Sequence, residues 1–222
     1  MATADKAGTK KVWDVITGNC LKTLEGHSYL FCLIKINDNK IASGGHDKTI
    51  KIWDVITGNC LNTLTGHKNF VLRLIKINES KIVSGSSDRN IKIWDVINGN
   101  CLKTLSVQFA SCLVKINEQH IACGCDDKTI KVWDLITGNC LQVLEGHTDM
   151  VRCLVKINEQ KIASGSEDKT IKIWDFVTGN CLQVLEVHTD YVRCLININK
   201  YQIVSCSFEK TIKIWDLFDK QA

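Results

Sequence analysis

Proline is absent from the 222 residues, and methionine occurs only twice. A chain without proline keeps every backbone N–H available, which suits a molecule built mostly of strand ladders. Charge of neither sign dominates: 28 basic and 24 acidic side chains leave a net +4. No basic cluster interleaves with aromatics, which argues against a nucleic-acid groove. No Cys-x-x-Cys pair occurs, and Cys123-x-Cys125 is too tightly spaced for a zinc knuckle, so no metal site is expected. No phosphate loop suggests a nucleotide, and no cofactor is expected. The opening MATADKAGTKK lacks an apolar signal core, and no segment is long and apolar enough to span a membrane. The expected location is therefore intracellular, cytoplasmic or nuclear, with no membrane partner.

Cysteine, by contrast, is abundant, at twelve residues. The positions explain the number. Cys20, Cys60, Cys101, Cys140 and Cys181 share one spacing, Cys32, Cys112, Cys153 and Cys194 a second, and Cys123, Cys125 and Cys206 fall in a third segment. Equivalent positions of successive units are held apart, so a disulfide framework does not follow. Small buried hydrophobes in a reducing compartment do.

The spacing reflects a repeat. Thr49 to Leu61 reads TIKIWDVITGNCL, and close copies recur. The tryptophans Trp13, Trp53, Trp94, Trp133, Trp174 and Trp215 are separated by 40, 41, 39, 41 and 41 residues. A fixed period near forty marks a repeat architecture whose units cannot bury their apolar faces alone. Strands are predicted at 10–14 and 19–25, then at 30–36, 40–44, 49–54 and 59–65 in the first full unit. Asn37-Asp38-Asn39 and Thr57-Gly58 supply turn chemistry. Both faces of 30–36 are rather apolar, as for a sheet stacked between two others. Lys51, Lys92, Lys131, Lys172 and Lys213 share one strand register and are read as solvated or stem-packed.

Gly-His, then Ser-Gly-x-x-Asp, then Trp-Asp recur in one order at one period from about residue 9 to residue 216. In this the chain resembles the WD-repeat family of β-propellers. The resemblance implies an all-β propeller of five four-stranded blades closed by an N-terminal strand, with 19–25 completing the last sheet beside 211–216. Residues 1–8 are expected to be disordered, 9–216 to form a single propeller domain and 217–222 to be a C-terminal tail.

The units also carry a His, Ser, Asp and Trp set: His27, Ser43, Asp47 and Trp53; His67, Ser84, Asp88 and Trp94; His147, Ser164, Asp168 and Trp174. A catalytic triad needs one site with an oxyanion hole, whereas this set recurs unit by unit, so no catalytic residue is assigned. The resemblance implies a structural chain instead: the acid holds His, His meets Ser, and Ser reaches the indole N–H. Two units depart. The third has no His, and Cys123 replaces Ser; the fifth has Val187-His188 for Gly-His, and Glu209 replaces Asp. Both are expected to lack the full chain.

Variation between units marks the expected binding surface. The segment after Gly-His and the residue before the frame Asp differ from unit to unit. By resemblance they share one face of the propeller, the family's favoured binding surface. That face collects Tyr29, Phe31, His46, Arg73, Phe109, Met150, Arg152, Tyr191, Arg193 and Phe208. Aromatics and arginine are enriched in binding hot spots. Phe31 is read as the counterpart of an Arg in three other units, while Phe70 reads equally as core. The predicted function is a non-catalytic interaction scaffold or adaptor that binds partner peptides on this face, within a multi-subunit complex. Alternatives are the substrate-recognition propeller of a ubiquitin ligase or a subunit of a chromatin complex.

Overall fold

The computed structural model describes residues 2–4, 10–13, 16–186 and 188–217. These form two compact units, 1–107 and 108–222. All regular structure among the described residues is β.

The first unit holds three sheets. β1 (Ala2–Ala4), β2 (Lys10–Trp13) and β3 (Cys20–Leu24) make the first. β4 (Leu30–Lys35), β5 (Lys40–Gly45), β6 (Ile50–Asp54) and β7 (Cys60–Leu64) make the second. β8 (Val71–Lys76), β9 (Lys81–Ser86), β10 (Asn90–Asp95) and β11 (Cys101–Ser106) make the third. Every sheet is an antiparallel meander, in which neighbours in sequence are neighbours in space.

The second unit repeats the pattern. β12 (Ala110–Lys115), β13 (His120–Cys125), β14 (Ile130–Asp134) and β15 (Cys140–Leu144) form one sheet. β16 (Val151–Lys156), β17 (Lys161–Ser166), β18 (Ile171–Asp175) and β19 (Cys181–Leu185) form the next. β20 (Val192–Asn199), β21 (Gln202–Ser207) and β22 (Ile212–Asp216) form a sheet of three.

The Trp-Asp pair has two separate structural duties. Trp53 is buried on the sheet it belongs to, whereas Asp54 caps the turn that follows. Its Oδ1 accepts the Ile56 and Thr57 amides, each at 2.8 Å, and these amides hold the carboxyl below its ordinary range. Gly58 then takes φ +83°, a left-handed conformation that glycine adopts at little cost, and the chain reverses into β7. Asp95, Asp134 and Asp175 cap their turns in the same way.

Sheets pack face to face through alternating residues. In the first unit, Ala42, Ile50, Ile52 and Leu64 of one sheet meet Val71, Leu74, Ile82 and Trp94 of the next. Gly44 is required at this contact: a Cβ there would lie 2.6 Å from Val71 Cγ1 and 2.8 Å from Cys32 Sγ. The Cys32 thiol sits between the sheets, 3.8 Å from the Gly44 carbonyl and 3.6 Å from the Val71 carbonyl. Burial pushes its pKa up to about 12, so it is a packing group. Cys153 does the same in the second unit, between the Gly165 and Val192 carbonyls.

Two expectations about the termini are corrected. Ala2–Ala4, expected to be disordered, pair with Lys10–Val12; residues 1 and 5–8 lie outside the described residues. The segment 19–25 does not join the ladder of 211–216. Its ladder runs to β2, with Trp13 opposite Cys20 and Lys10 opposite Leu24. The physical reason is local. KKVWD and CLKTL copy the third and fourth strands of a repeat, and the Trp53–Cys60 register of β6 and β7 is reproduced between Trp13 and Cys20. A short hairpin closes at far lower entropic cost than a pairing across the whole chain. Val12 and Leu24 are thereby buried against Ile41 and Trp53. β22 has no fourth strand beside it among the described residues: Ile212 and Ile214 are 73% and 67% exposed, where their counterparts Ile171 and Ile173 are 0% and 4%. Of the expected tail, Leu217 is buried and 218–222 lie outside the described residues.

Candidate functional site

The His, Ser, Asp and Trp sets form as the resemblance implies. In the first, His27 Nδ1 lies 2.8 Å from Asp47 Oδ1, His27 Nε2 lies 2.8 Å from Ser43 Oγ, and the Trp53 indole donates to Ser43 Oγ at 2.8 Å. The proton order follows from chemistry. The indole can only donate, so the serine oxygen accepts; the serine hydroxyl then donates to Nε2, and Nδ1–H donates to the carboxylate. The imidazole is neutral in this arrangement. The sets at His67 and His147 have matching distances, from 2.6 to 2.8 Å. Burial lowers the His67 pKa, outweighing the opposite pull of Asp88. Burial raises the Asp88 carboxyl, but the Lys68 amide and His67 outweigh it, and the net shift is downward. Asp168 is lowered likewise, with His147 and Thr170 overcoming burial. Ser43, Ser84 and Ser164 are fully buried, so none is placed to attack a substrate.

The third repeat lacks the chain, as expected. Cys123 lies 3.7 Å from Cys125, and their contact together with burial raises its pKa well above the ordinary thiol value. The Trp133 indole N–H is buried without a hydrogen-bond partner. Asp127, with no imidazole to hold, pairs with Lys131 at 2.6 Å.

The fifth repeat corrects the expectation. His188 Nδ1 reaches Glu209 Oε1 at 2.6 Å, His188 Nε2 meets Ser205 Oγ at 2.6 Å, and Trp215 donates to Ser205 Oγ at 2.8 Å. The extra methylene of Glu is absorbed by a wider set of donors. Lys213, the Thr189 amide and hydroxyl, and the Thr211 hydroxyl all bind its carboxylate and hold it far below its ordinary range.

The two variable segments meet in every repeat. The amides of His46, Ser87, Asp126, Glu167 and Phe208 donate to the carbonyls of Tyr29, Phe70, Phe109, Met150 and Tyr191, at 2.9 to 3.1 Å. Each repeat therefore carries one small rim platform at the same end of its strands. The rim residues divide between the two units. In the first, Tyr29, Phe31, His46 and Phe70 form one aromatic cluster. Ring centroids are 5.1 Å apart for Tyr29 and Phe31, 5.8 Å for Phe31 and Phe70, and 4.0 Å for the stacked His46 and Phe70. Phe31 is 37% exposed, while Tyr29 and Phe70 are half-buried. In the second unit Tyr191 meets Phe208 edge-on at 6.0 Å, and Arg193 lies 4.7 Å over the Phe208 ring. Tyr191 and Phe208 are 39% and 51% exposed. Arg152 pairs with Glu167, and Phe109 and Met150 are half-buried.

Arg73 is not a rim counterpart of Phe31. Arg73 faces Gly85 as Cys32 faces Gly44, so it occupies the cysteine register, and Leu72 matches Phe31. Phe31 thus corresponds to an arginine in two repeats, at Arg152 and Arg193, since Cys153 and Cys194 face Gly165 and Cys206. The Arg73 guanidinium donates to the Leu72 carbonyl at 2.9 Å.

Sequence reasoning missed three rim cations in the first unit, Lys48, Lys68 and Arg89. Lys48 and Arg89 take φ of 66° and 63°, a region that favours Gly or Asn. The signal was present in the Asp-Lys-Thr and Asp-Arg-Asn turns, where those smaller residues would fit with less strain. Of the five strand lysines, Lys51 and Lys92 donate across to Thr63 and Thr104, at 3.1 and 2.7 Å, and Lys131 and Lys213 pair with Asp127 and Glu209. A cleft of about 720 Å³ in the second unit, lined by Ile157, Lys161, Leu182, Lys200 and Tyr201, opens at the opposite strand ends from the rim. Among the described residues no three His, Cys, Asp or Glu side chains converge on a metal position, and no helix is long and apolar enough to cross a membrane.

Comparison with known proteins places this geometry. The family model described as WD domain, G-beta repeat matches residues 18–54, 58–95, 99–134, 138–175 and 179–216. Each match takes one outer strand and the three strands that follow it. The crystal structure of the computationally designed Ika8 protein is similar at a TM-score of 0.88 and 33% identity, over 99% of this chain and 69% of that one. No curated protein matches the sequence. With the repeat matched five times and its strands and buried side-chain chains in place, the chain belongs to the WD-repeat family and is an all-β propeller protein.

Proposed function

We propose that this protein is a non-catalytic scaffold that docks partner peptides on its rim platforms. WD-repeat propellers act generally as interaction scaffolds. One observation carries the reading here. Phe31 is held out at 37% exposure by packing against Tyr29 and Phe70, at a position where Arg152 and Arg193 stand in other repeats. A rigid, exposed ring is the kind of residue that dominates binding energy. The buried His, Ser and Asp sets support a structural rather than a catalytic role, because the serine oxygen is engaged by the indole. Twelve thiols that follow the repeat suit a reducing compartment, the cytoplasm or nucleus.

Affinity capture with the whole chain tests this, using wild type beside Phe31→Ala and Phe208→Ala. Proteins lost from both variants, with unchanged unfolding temperature, support the reading. Identical captured sets from all three overturn it. Co-purification of ubiquitin-ligase or chromatin subunits would assign the pathway.

A further inference from the structure

We infer that the rim of the first unit takes an acidic peptide bearing an apolar or aromatic anchor. This rests on the docking reading above and adds the chemistry of the occupant. The Tyr29, Phe31, His46 and Phe70 cluster supplies the seat for the anchor. Its surroundings are cationic. Lys48 shares a turn with His46, Lys68 precedes Phe70 by two residues, and Arg89 lies in the turn whose Ser87 amide bonds the Phe70 carbonyl at 3.0 Å. All three are exposed and make no side-chain ion pair among the described residues.

The two carboxylates of these loops offset only part of that charge. Asp47 is held by His27, and Asp88 is held by His67 and by the Lys68 amide. Glu25, which follows the outer strand β3, lies outside the two turns that flank the ring cluster. The second unit is a contrast within one protein. It repeats the turn cations as Lys128, Lys169 and Lys210, but its Arg152 is paired with Glu167, its Arg193 covers Phe208, and its rim loops add Asp126, Asp149 and Asp190. A net positive charge around a fixed apolar seat selects a partner of opposite charge with one buried anchor, and speeds its encounter.

A random twelve-residue peptide library displayed on phage, panned on the whole chain, tests both levels. Enriched peptides are then synthesised and titrated by fluorescence polarisation at two salt concentrations. The expected peptides are net negative with one aromatic or large aliphatic residue. They should bind at least about tenfold more weakly to Phe31→Ala, and several-fold more weakly to Lys68→Glu and Arg89→Glu, with a smaller salt dependence. The charge reversals lie on exposed turns, and thermal unfolding confirms their fold. Basic or neutral peptides that still need Phe31 would overturn the acidic occupant and leave the docking reading standing. Enriched peptides indifferent to Phe31→Ala, or no enrichment, would overturn both.

Discussion

Removing one hydroxyl from the core should cost this protein more than removing a whole thiol from the equivalent place. Ser84 Oγ accepts the Trp94 indole N–H at 2.7 Å and donates to His67 Nε2 at 2.6 Å, and Ser84 is fully buried. Ser84→Ala leaves two buried polar atoms without partners. Each orphan costs about 1–3 kcal/mol. The two share one site, so the terms do not add fully, and a net loss of about 2–4 kcal/mol is expected. In a chain of this size that lowers the unfolding temperature by roughly 5–15 °C. The third repeat supplies the control. Cys123 occupies the serine position, but Trp133 N–H already lacks a partner and no His is present. Cys123→Ala therefore removes only buried sulfur and should cost about 1 kcal/mol. Urea titration of both variants by circular dichroism measures the difference. If Ser84→Ala costs no more than Cys123→Ala, the hydrogen-bond chain contributes nothing to stability and the reasoning fails.

Acid should destabilise the fold in two stages. The folded pKa of His67 lies below its ordinary 6.5, so its contribution is complete above that value and is lost as pH falls through it toward the folded pKa. Asp88, Asp168 and Glu209 are also lowered, so their contributions fade below about pH 4; a urea midpoint that rose between pH 7 and 5 would contradict the first stage, and one that rose between pH 4 and 2 the second. Deleting residues 1–25 removes the buried Val12 and Leu24 from Ile41 and Trp53 and should cost about 3–6 kcal/mol, and unchanged thermal unfolding would refute the packing. Phe31→Ala should leave stability nearly intact and weaken a partner peptide about tenfold or more, whereas Trp53→Ala, at a residue only 2% exposed, should cost about 3–5 kcal/mol; equal unfolding by both would make Phe31 core. Native alkylation should reach the exposed Cys20, Cys60, Cys101, Cys140, Cys181 and Cys194, the raised Cys140 and Cys194 more slowly, and leave Cys112, Cys123, Cys125 and Cys153 until denaturant is added. Mass spectrometry that found the buried four labelled first would contradict that order.

The strands and their meander order were legible because the repeat states the same hydrophobic pattern again and again. The predicted 40–44 and 49–54 differ from Lys40–Gly45 and Ile50–Asp54 by one residue at an end. Pairing at the N-terminus was not legible. Cys20–Leu24 has the sequence of a fourth strand wherever it pairs, and composition cannot say whether it completes a distant sheet or folds back on KKVWD. Register within the inner strand was misread for a related reason. Arg73 stands six residues after His67, whereas Arg152 and Arg193 stand five after His147 and His188, and the segment is one residue shorter in the first repeat, so matching arginine to arginine set Phe31 against Arg73. The cross-strand partners, Gly44 for Cys32 and Gly85 for Arg73, fix the alignment. A one-residue slip sends a side chain to the other face of a strand, which is why the error mattered for the site.

Departures from the repeat fall into two kinds, and the difference locates function without any alignment of relatives. A change inside the frame is absorbed by residues the other repeats also carry. Glu209 keeps the buried chain because Thr189, Thr211 and Lys213 gather round its longer arm. Cys123 comes with the loss of His, and Asp127 turns to Lys131. These are solutions to one packing problem, and burial enforces them. The rim departures have no such bookkeeping. Phe31 replaces a guanidinium with a ring, and no buried donor or cavity nearby demands it. His46 stacks on Phe70 at 4.0 Å while remaining exposed, and Lys68 stands exposed where three other repeats carry Ser28, Thr148 and Thr189. Folding alone gives no reason to keep rings and cations there. A partner that desolvates the rings and meets the cations with its own carboxylates does.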